Sequence, residues 1–297
     1  MEPNICVGFR FTSPNLQENG EGIVSKTVFY YQLPITHNLL MSLKPVVELS
    51  DNKALANLRL VASDMDGTLT KNGKFTPSFL RAIEKLTAAN IQVLIITGRS
   101  AGWVQAIKNY LPIIGAIAEN GGIFFPGMSE QPICLTPIEN LTIYRQELAA
   151  TFQHLKSQFP QLIESADNPF RLTDWTFDVL GLSNAELQTI EKLCLEKNYG
   201  FTYSNIQCHI KPLKQDKATG LLQALSQYFP QWEPEQILTV GDSPNDESLF
   251  DKSKFALSVG VANIMDYAEK LRHRPAYLTN NKEADGFCEL VEVLLMN

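Results

Sequence analysis

No hydrophobic run in this chain is long enough to cross a membrane, cysteine and histidine are sparse, and there is no excess of basic residues. Each shortage removes a class of protein. A membrane-spanning helix needs about 20 consecutive apolar residues, so no membrane partner is expected. The five cysteines (Cys6, Cys134, Cys194, Cys208, Cys288) are scattered without paired spacing, which supports neither a disulfide framework nor a zinc site. Reduced, cytoplasmic surroundings are the expectation. Four dispersed histidines argue against a histidine-rich metal centre. A formal net charge of −7 has the wrong sign for a general nucleic-acid binder. No internal repeat or low-complexity tract stands out.

What the sequence does contain is Asp64-Met65-Asp66-Gly67-Thr68 at the end of the apolar run Leu58-Arg59-Leu60-Val61-Ala62. A carboxylate fixed at a strand end can attack phosphorus, while a second one nearby handles the proton. An ordinary Asp-Gly turn would give the same local string, so the other segments decide. The run Ile91–Ile96 leads into Thr97-Gly98-Arg99-Ser100, a buried strand ending in a hydroxyl and a turn,. Ile237-Leu238-Thr239-Val240-Gly241 leads into Asp242-Ser243-Pro244-Asn245-Asp246. There Ser243 and Pro244 read as a helix start, while the crowded carboxylates call for a cation, and hard oxygen ligands suit Mg²⁺. Asp216 reads as the cap of a helix running to about Tyr228, with Lys217 in its first turn. A lysine at the positive end of the helix dipole is unfavourable without an anion, which marks it as a phosphate partner. Lys214 competes for that role.

These four segments, in this order, resemble the haloacid dehalogenase superfamily of phosphohydrolases and, within it, the Cof-type phosphatases with a large inserted cap. The resemblance runs from about Leu58 to the C-terminus, and Asn120-Gly121, Val259–Asn263 and Glu283–Phe287 fit it as well. It implies Asp64 as nucleophile and Asp66 as general acid and base. Thr97, Gly98, Lys217 and Asn245 would hold the phosphoryl group, and Asp64, Asp66, Asp242 and Asp246 would surround Mg²⁺, Asp66 through its backbone carbonyl. The expected reaction is hydrolysis of a small-molecule phosphate ester, a sugar phosphate or a nucleotide or cofactor phosphate, through an aspartyl-phosphate. The sequence departs from the family at Ile264, often Ala, and at Ala218, usually Gly. Two rival readings use similar residues: a phosphotransferase or mutase on the same site, and a non-enzymatic phospho-acceptor signalling domain. The latter normally carries its acidic pair before the acceptor aspartate, whereas Asp66 follows Asp64.

The hydrophobic pattern gives an α/β chain. Apolar runs near 58–63, 91–96, 115–118, 237–241 and 255–259 alternate with amphipathic stretches, as in a doubly wound, Rossmann-like parallel sheet whose ligands gather at the strands' carboxyl ends. Residues 58–124 and 212–297 form the expected core. Residues 125–211 read as an inserted α+β cap of two helix-strand-strand units: a helix over 139–158, two strands within 162–179, a helix over 183–199 and a hairpin over 200–211. Cap loops should choose the substrate, and Asp174, Trp175, Asn205 and His209 are polar or aromatic candidates there. Residues 1–57 stand outside the resemblance as a partly disordered extension, with a poorly ordered tail to Gly22 and a possible edge strand at Val28–Tyr31. No secretory or transit signal is read there, and Met41 is an alternative start.

Overall fold

A computed structural model describes residues 43–127 and 131–296. The expectations for residues 1–42, including the tail to Gly22, the Val28–Tyr31 strand and the Met41 start, lie outside the described residues.

Twelve strands are described, in two sheets. The first strands are β1 (Lys44–Pro45) and β2 (Leu60–Ser63), followed by α1 (Pro77–Ala88), β3 (Gln92–Ile96), α2 (Ala101–Lys108), β4 (Gly115–Ala118), β5 (Ile123–Phe125) and β6 (Ile133–Cys134). Next come α3 (Leu141–Gln158), β7 (Trp175–Asp178), α4 (Asn184–Glu196), β8 (Tyr199–Tyr203) and β9 (Gln207–Pro212). The chain ends with α5 (Lys217–Tyr228), β10 (Ile237–Gly241), β11 (Leu257–Gly260), β12 (Tyr277–Leu278) and α6 (Glu283–Leu294). The large sheet has the order β1-β12-β11-β10-β2-β3-β4-β5-β6. It is parallel from β1 to β4 and antiparallel at β4-β5 and β5-β6.

The central strands are buried on both faces, and the two-residue period of a strand divides them cleanly. Val61, Val93, Ile95, Val240 and Val259 join one apolar cluster, together with Phe79, Ile83, Val104, Phe287 and Leu290 from α1, α2 and α6. Leu60, Ala62, Leu94, Ile96 and Ile237 join the other, with Leu221 and Leu225 of α5 and Leu249 and Phe250 of the 3₁₀ turn Pro244–Phe250. Helices therefore cover both faces, the doubly wound arrangement expected from the apolar runs. Val46 and Leu49 are buried in the first cluster, so ordered structure joins the sheet before position 58, where the sequence resemblance begins.

Between β6 and α5 the chain builds a separate layer. β7, β9 and β8 form a three-stranded antiparallel sheet, backed by a third cluster with Leu148 and Phe152 of α3 and Leu187 and Ile190 of α4. The expected second strand within 162–179 is not formed. Only an isolated bridge joins Glu164 to Phe177, because the chain closes into the 3₁₀ turn Asn168–Phe170, with Pro169 at its start and its amides donating to carbonyls three residues back. Asn168 exchanges bonds with Thr176, its Oδ1 accepting from Thr176 N (2.9 Å) and its Nδ2 donating to Thr176 O (2.9 Å). Among the described residues no helix is long and apolar enough to cross a membrane.

Gly121 shows how closely the two halves of the large fold approach. Its φ is +101°, and a side-chain carbon there would lie 2.1 Å from Asp216 O. Gly121→Ala should therefore destabilise the protein by more than about 2 kcal/mol, through an unfavourable left-handed backbone and overpacking together. Urea unfolding checks this, and an unchanged midpoint would contradict it.

Candidate active site

The site forms where β2, β3, β4 and β10 end. Asp64 N donates to Val240 O (2.9 Å), so the register of β2 on β10 brings Asp64 beside Asp242. The turn after it is tight: Gly67 has φ +83°, and a carbon on it would lie 2.5 Å from Asp242 Oδ2. Only glycine leaves Asp242 in place there. Asp242 then accepts from Thr68 Oγ1 (2.7 Å) and Asn263 Nδ2 (2.8 Å), while Asn263 also donates to Gly67 O (3.0 Å).

Lys217 begins α5 behind the Asp216 cap, whose Oδ1 accepts from Thr219 N (2.7 Å). Its side chain is fully buried, and Nζ donates to Asp64 Oδ1 (2.5 Å) and Asp246 Oδ1 (2.6 Å). Lys214, the competing lysine, is exposed. Asp246 uses its other oxygen to accept from the amides of Asp242 (2.9 Å) and Ser243 (3.0 Å). The Asp246 carboxylate thus satisfies the amides at the start of the Pro244–Phe250 turn, and Ser243 Oγ donates instead to Asn245 Oδ1 (2.6 Å). Thr97 is buried, its Oγ1 accepting from Arg99 N (3.1 Å). Asn245 Nδ2 donates to Asn120 Oδ1 (3.0 Å).

Carboxylate oxygens of Asp64, Asp242 and Asp246 lie within 4.8 Å of one another. Three carboxylates against one ammonium leave a formal surplus of two negative charges, the complement of a divalent cation. Burial pushes Asp64 up to about 7, against the pull of Lys217 and with the help of Asp246 and Asp66. Burial, then Asp64 and Asp246, hold Asp242 well above the carboxylate range. Burial works against the Lys217 ammonium, but Asp246 and Asp64 outweigh it and raise its pKa. The ammonium keeps its proton, and the surplus negative charge falls on the carboxylates. An all-oxygen set of this kind fits a hard cation.

Asp66 faces outward from this cluster. Arg99 holds it with two parallel bonds, Nε to Oδ2 (2.8 Å) and Nη2 to Oδ1 (2.7 Å). The sequence reading gave Arg99 no role, although its place directly after Thr97-Gly98 was the available signal. Ser100, readable as a cap for α2, makes no such bond, and its buried Oγ lacks a partner. Glu119 Oε1 accepts from Ala101 N instead (2.9 Å).

A cavity of about 20 Å³ lies over the cluster, lined by Asp64, Asp66, Gly98 and Arg99 from below and by Gln207 and His209 from the β8–β9 hairpin above. A wider cleft of about 750 Å³ passes Asn120 and Asn245 between the same hairpin and residues 269–273. Of the four cap candidates, His209 reaches the small cavity, and Asp174 supports it through a 2.8 Å bond to Nδ1. Trp175 stacks under Arg145 at 4.5 Å, and Asn205 is exposed at the hairpin turn.

Known proteins resemble this chain in sequence and in fold. A haloacid dehalogenase-like hydrolase family model matches residues 61–157, and a sucrose-6F-phosphate phosphohydrolase model matches residues 154–293. The phosphoglycolate phosphatase of Methanobrevibacter smithii is 28% identical over 255 residues, covering 81% of this chain and 100% of the relative. Phosphoglycolate phosphatase 1 of Saccharolobus solfataricus is 28% identical over 245 residues, covering 80% and 96%. Among solved structures, the Thermoplasma acidophilum 0175 protein superposes with a TM-score of 0.63 at 20% identity, covering 80% of this chain and 98% of its own. The C-terminal domain of C. albicans trehalose-6-phosphate phosphatase also gives 0.63, at 16% identity, covering 85% and 97%. The chain is thus similar, segment by segment, to the haloacid dehalogenase-like hydrolases. The enzymes named among these relatives are phosphatases, that is, phosphoric monoester hydrolases.

The charge surplus has a measurable sign. Asp64 and Asp242 bind protons more tightly folded than unfolded, so without divalent metal their contribution to stability is fully present below about pH 4 and falls as pH rises, that of Asp64 being lost through about 7,. Asp242→Asn removes one of these charges. In chelator it should therefore gain on the wild type by at least about 1 kcal/mol as pH rises from 4 to 7, read by thermal unfolding. Saturating Mg²⁺ should reverse the order; parallel curves would contradict the surplus.

Proposed function

We propose that this phosphatase is Mg²⁺-dependent and hydrolyses a small phosphomonoester through an aspartyl-phosphate. The observation that carries the reading is the trio Asp64, Asp242 and Asp246 gathered within 4.8 Å around the buried Lys217 ammonium. Residues 58–124 and 212–297 form the catalytic core, which β5 and β6 extend as far as Cys134, and the remainder of 125–211 forms the cap.

In this reading Asp64 attacks phosphorus in line with the departing alcohol. The P–O bond to the alcohol breaks, and Asp66 gives its proton to the leaving oxygen. Asp66, now a carboxylate, takes a proton from water as that water attacks the aspartyl-phosphate. The P–O bond to Asp64 breaks, and phosphate and free Asp64 are restored. Arg99 orients Asp66 through both carboxylate oxygens, and the bond to Arg99 must loosen for Asp66 to exchange its proton with the alcohol. Lys217, Thr97, Gly98 and Asn245 hold the phosphoryl oxygens, where charge spreads in the transition state. Asp64, Asp242, Asp246 and the Asp66 carbonyl would hold Mg²⁺, which supplies charge neutralisation at the phosphoryl group. Asp246, with both oxygens already bonded to Lys217 and to two amides, serves chiefly to fix the lysine.

The phosphoglycolate phosphatases among the relatives favour a compact alcohol. Phosphate release from p-nitrophenyl phosphate and from a panel of small phosphate esters tests the reading. Release should require Mg²⁺ and vanish in Asp64→Asn. Asp66→Asn should lose roughly 10²–10⁴-fold in kcat, and mass spectrometry of acid-quenched wild type should find one phosphoryl group on Asp64. Activity that survives Asp64→Asn would exclude the mechanism.

A further inference from the structure

One peptide plane in the turn after β3 is held from the cap. The turn Thr97-Gly98-Arg99 carries its carbonyls in succession. The outer two are tied to the end of β4, Thr97 O by Asn120 N (3.0 Å) and Arg99 O by Glu119 N (3.0 Å). The middle one, Gly98 O, accepts from Arg171 Nη1 of the cap (2.9 Å) and has no other partner among the described residues. The amide of that same peptide, Arg99 N, donates to Thr97 Oγ1 (3.1 Å). A trans peptide sends its C=O and its N–H in opposite directions within one plane. A bond at each edge therefore stops the plane from rotating.

Arg171 acts on this turn from behind. Its side chain has no exposed surface, and it is not among the residues that line the cavity over Asp64. Asp167 accepts from Nε (3.2 Å) and Nη2 (2.9 Å), both Asp174 oxygens accept from Nη1 (2.9 and 3.1 Å), and Gln207 Oε1 accepts from Nη2 (2.9 Å). The guanidinium is thereby fixed, with the Nη1 that serves Gly98 included. On the other side of the turn, Thr97 is 1% exposed and lines the cavity. With the Arg99 N–H on its oxygen, the Thr97 hydroxyl gives its own proton to no described residue, so that proton remains to be donated. Without the Arg99 N–H the hydroxyl is free to turn back onto the backbone, as threonine hydroxyls do.

Resting on the phosphatase reading above, we propose that Arg171 is a positioning residue for the phosphoryl group. It locks the Gly98–Arg99 peptide, the peptide holds Thr97 Oγ1, and Thr97 gives its hydroxyl proton to a phosphoryl oxygen. The cap thus takes part in binding the phosphoryl group as well as in meeting the alcohol. The core strands alone leave the middle peptide of the turn unheld, so the phosphoryl site is complete only with the cap loop seated on Gly98.

The test is a double-mutant cycle between Arg171 and Thr97, read with the full chain in Mg²⁺ as kcat/KM for p-nitrophenyl phosphate and as inhibition by orthovanadate. Arg171→Lys keeps the charge that Asp167 and Asp174 require, but its compact ammonium is drawn between the two carboxylates and leaves Gly98 O. Thr97→Val removes the hydroxyl with little change in shape. Each should lower kcat/KM by about ten-fold, the scale of one hydrogen bond to a charged group, and weaken vanadate inhibition in parallel. Together they should lose no more than about three-fold beyond Thr97→Val alone. In Thr97→Ser, which keeps a hydroxyl, Arg171→Lys should again cost about ten-fold. If Arg171→Lys fails to fold, Arg171→Met combined with Asp174→Asn removes the charge together with one of its partners, and the same cycle runs with Asp174→Asn as reference. Losses that multiply to about a hundred-fold, the mark of a merely structural Arg171, would overturn the proposal. Unchanged kcat/KM in Arg171→Lys would overturn it as well. A wild type that releases no phosphate and carries no phosphoryl group on Asp64 would instead bring down the phosphatase reading itself.

Discussion

The structure turns on one buried ammonium. Lys217 Nζ sits between Asp64 and Asp246, all three side chains within a few per cent of complete burial. An isolated charge there would be prohibitive, and the pairings that offset it fix the ends of β2, β10 and α5 relative to one another. The same lysine cannot neutralise three carboxylates. The site is built with a standing need for positive charge, and that need, more than any single residue, defines what it can bind. Structural stability and cation-binding capacity therefore oppose each other in this cluster: every carboxylate that equips it to hold a cation adds repulsion within the fold.

A second polar assembly ties the cap layer to this centre. Glu119, buried at the end of β4, receives bonds from Ala101 at the start of α2 and from Leu172 and Thr173 of the cap. Gln215, near the return of the chain from cap to core, donates to Glu119 O (2.6 Å) and Thr173 Oγ1 (3.1 Å) and accepts from Thr136 Oγ1 (2.7 Å). Both crossings between the layers are thus bonded to each other and to the cap loop that carries Arg171 and Asp174. Burial pushes Glu119 up to about 7, aided by Asp174 and opposed by Arg171 and by the Thr173 and Ala101 amides. Placed between α2, the cap loop and the Asn120 backbone, this side chain does for the junction what Lys217 does for the strand ends.

Much of this was legible because the chemistry sits at strand ends and strands announce themselves by composition. The runs before Asp64, Thr97 and Asp242 could be read directly, and their convergence followed from the rule that parallel strands point their carboxyl ends the same way. The choice between Lys217 and Lys214 stayed open, since a helix start is uncertain by a residue or two and only burial separates them. The cap was less legible. His209 and Asp174 are 35 residues apart, and their meeting depends on the pairing of β7 with β9, in which Trp175 lies opposite Ile210. Neither residue carries a local signal of that. The missing strand near 164–171 has the same origin: the Asn168 side chain takes both Thr176 backbone groups that a strand would have paired, a choice made by tertiary partners. Arg99 was overlooked because its partner Asp66 lies 33 residues earlier on a neighbouring strand's turn.

The separation of Lys217 from Asp64 bears on how the chain is made. The two are 153 residues apart in sequence, whereas Lys217 and Asp246 are 29 apart. As the chain emerges from its amino end, β2, β3 and β4 are available long before α5 and β10 supply the ammonium and the third carboxylate. The strand that carries Asp64 must therefore wait at the middle of an unfinished sheet with β10, its neighbour on one side, still unmade. Contacts of such long range form late and slowly, and the inserted cap lengthens the wait by its whole extent. Segments made late complete the carboxylate cluster, so a chain interrupted before β10 holds Asp64 with neither its full charge partners nor a closed sheet around it.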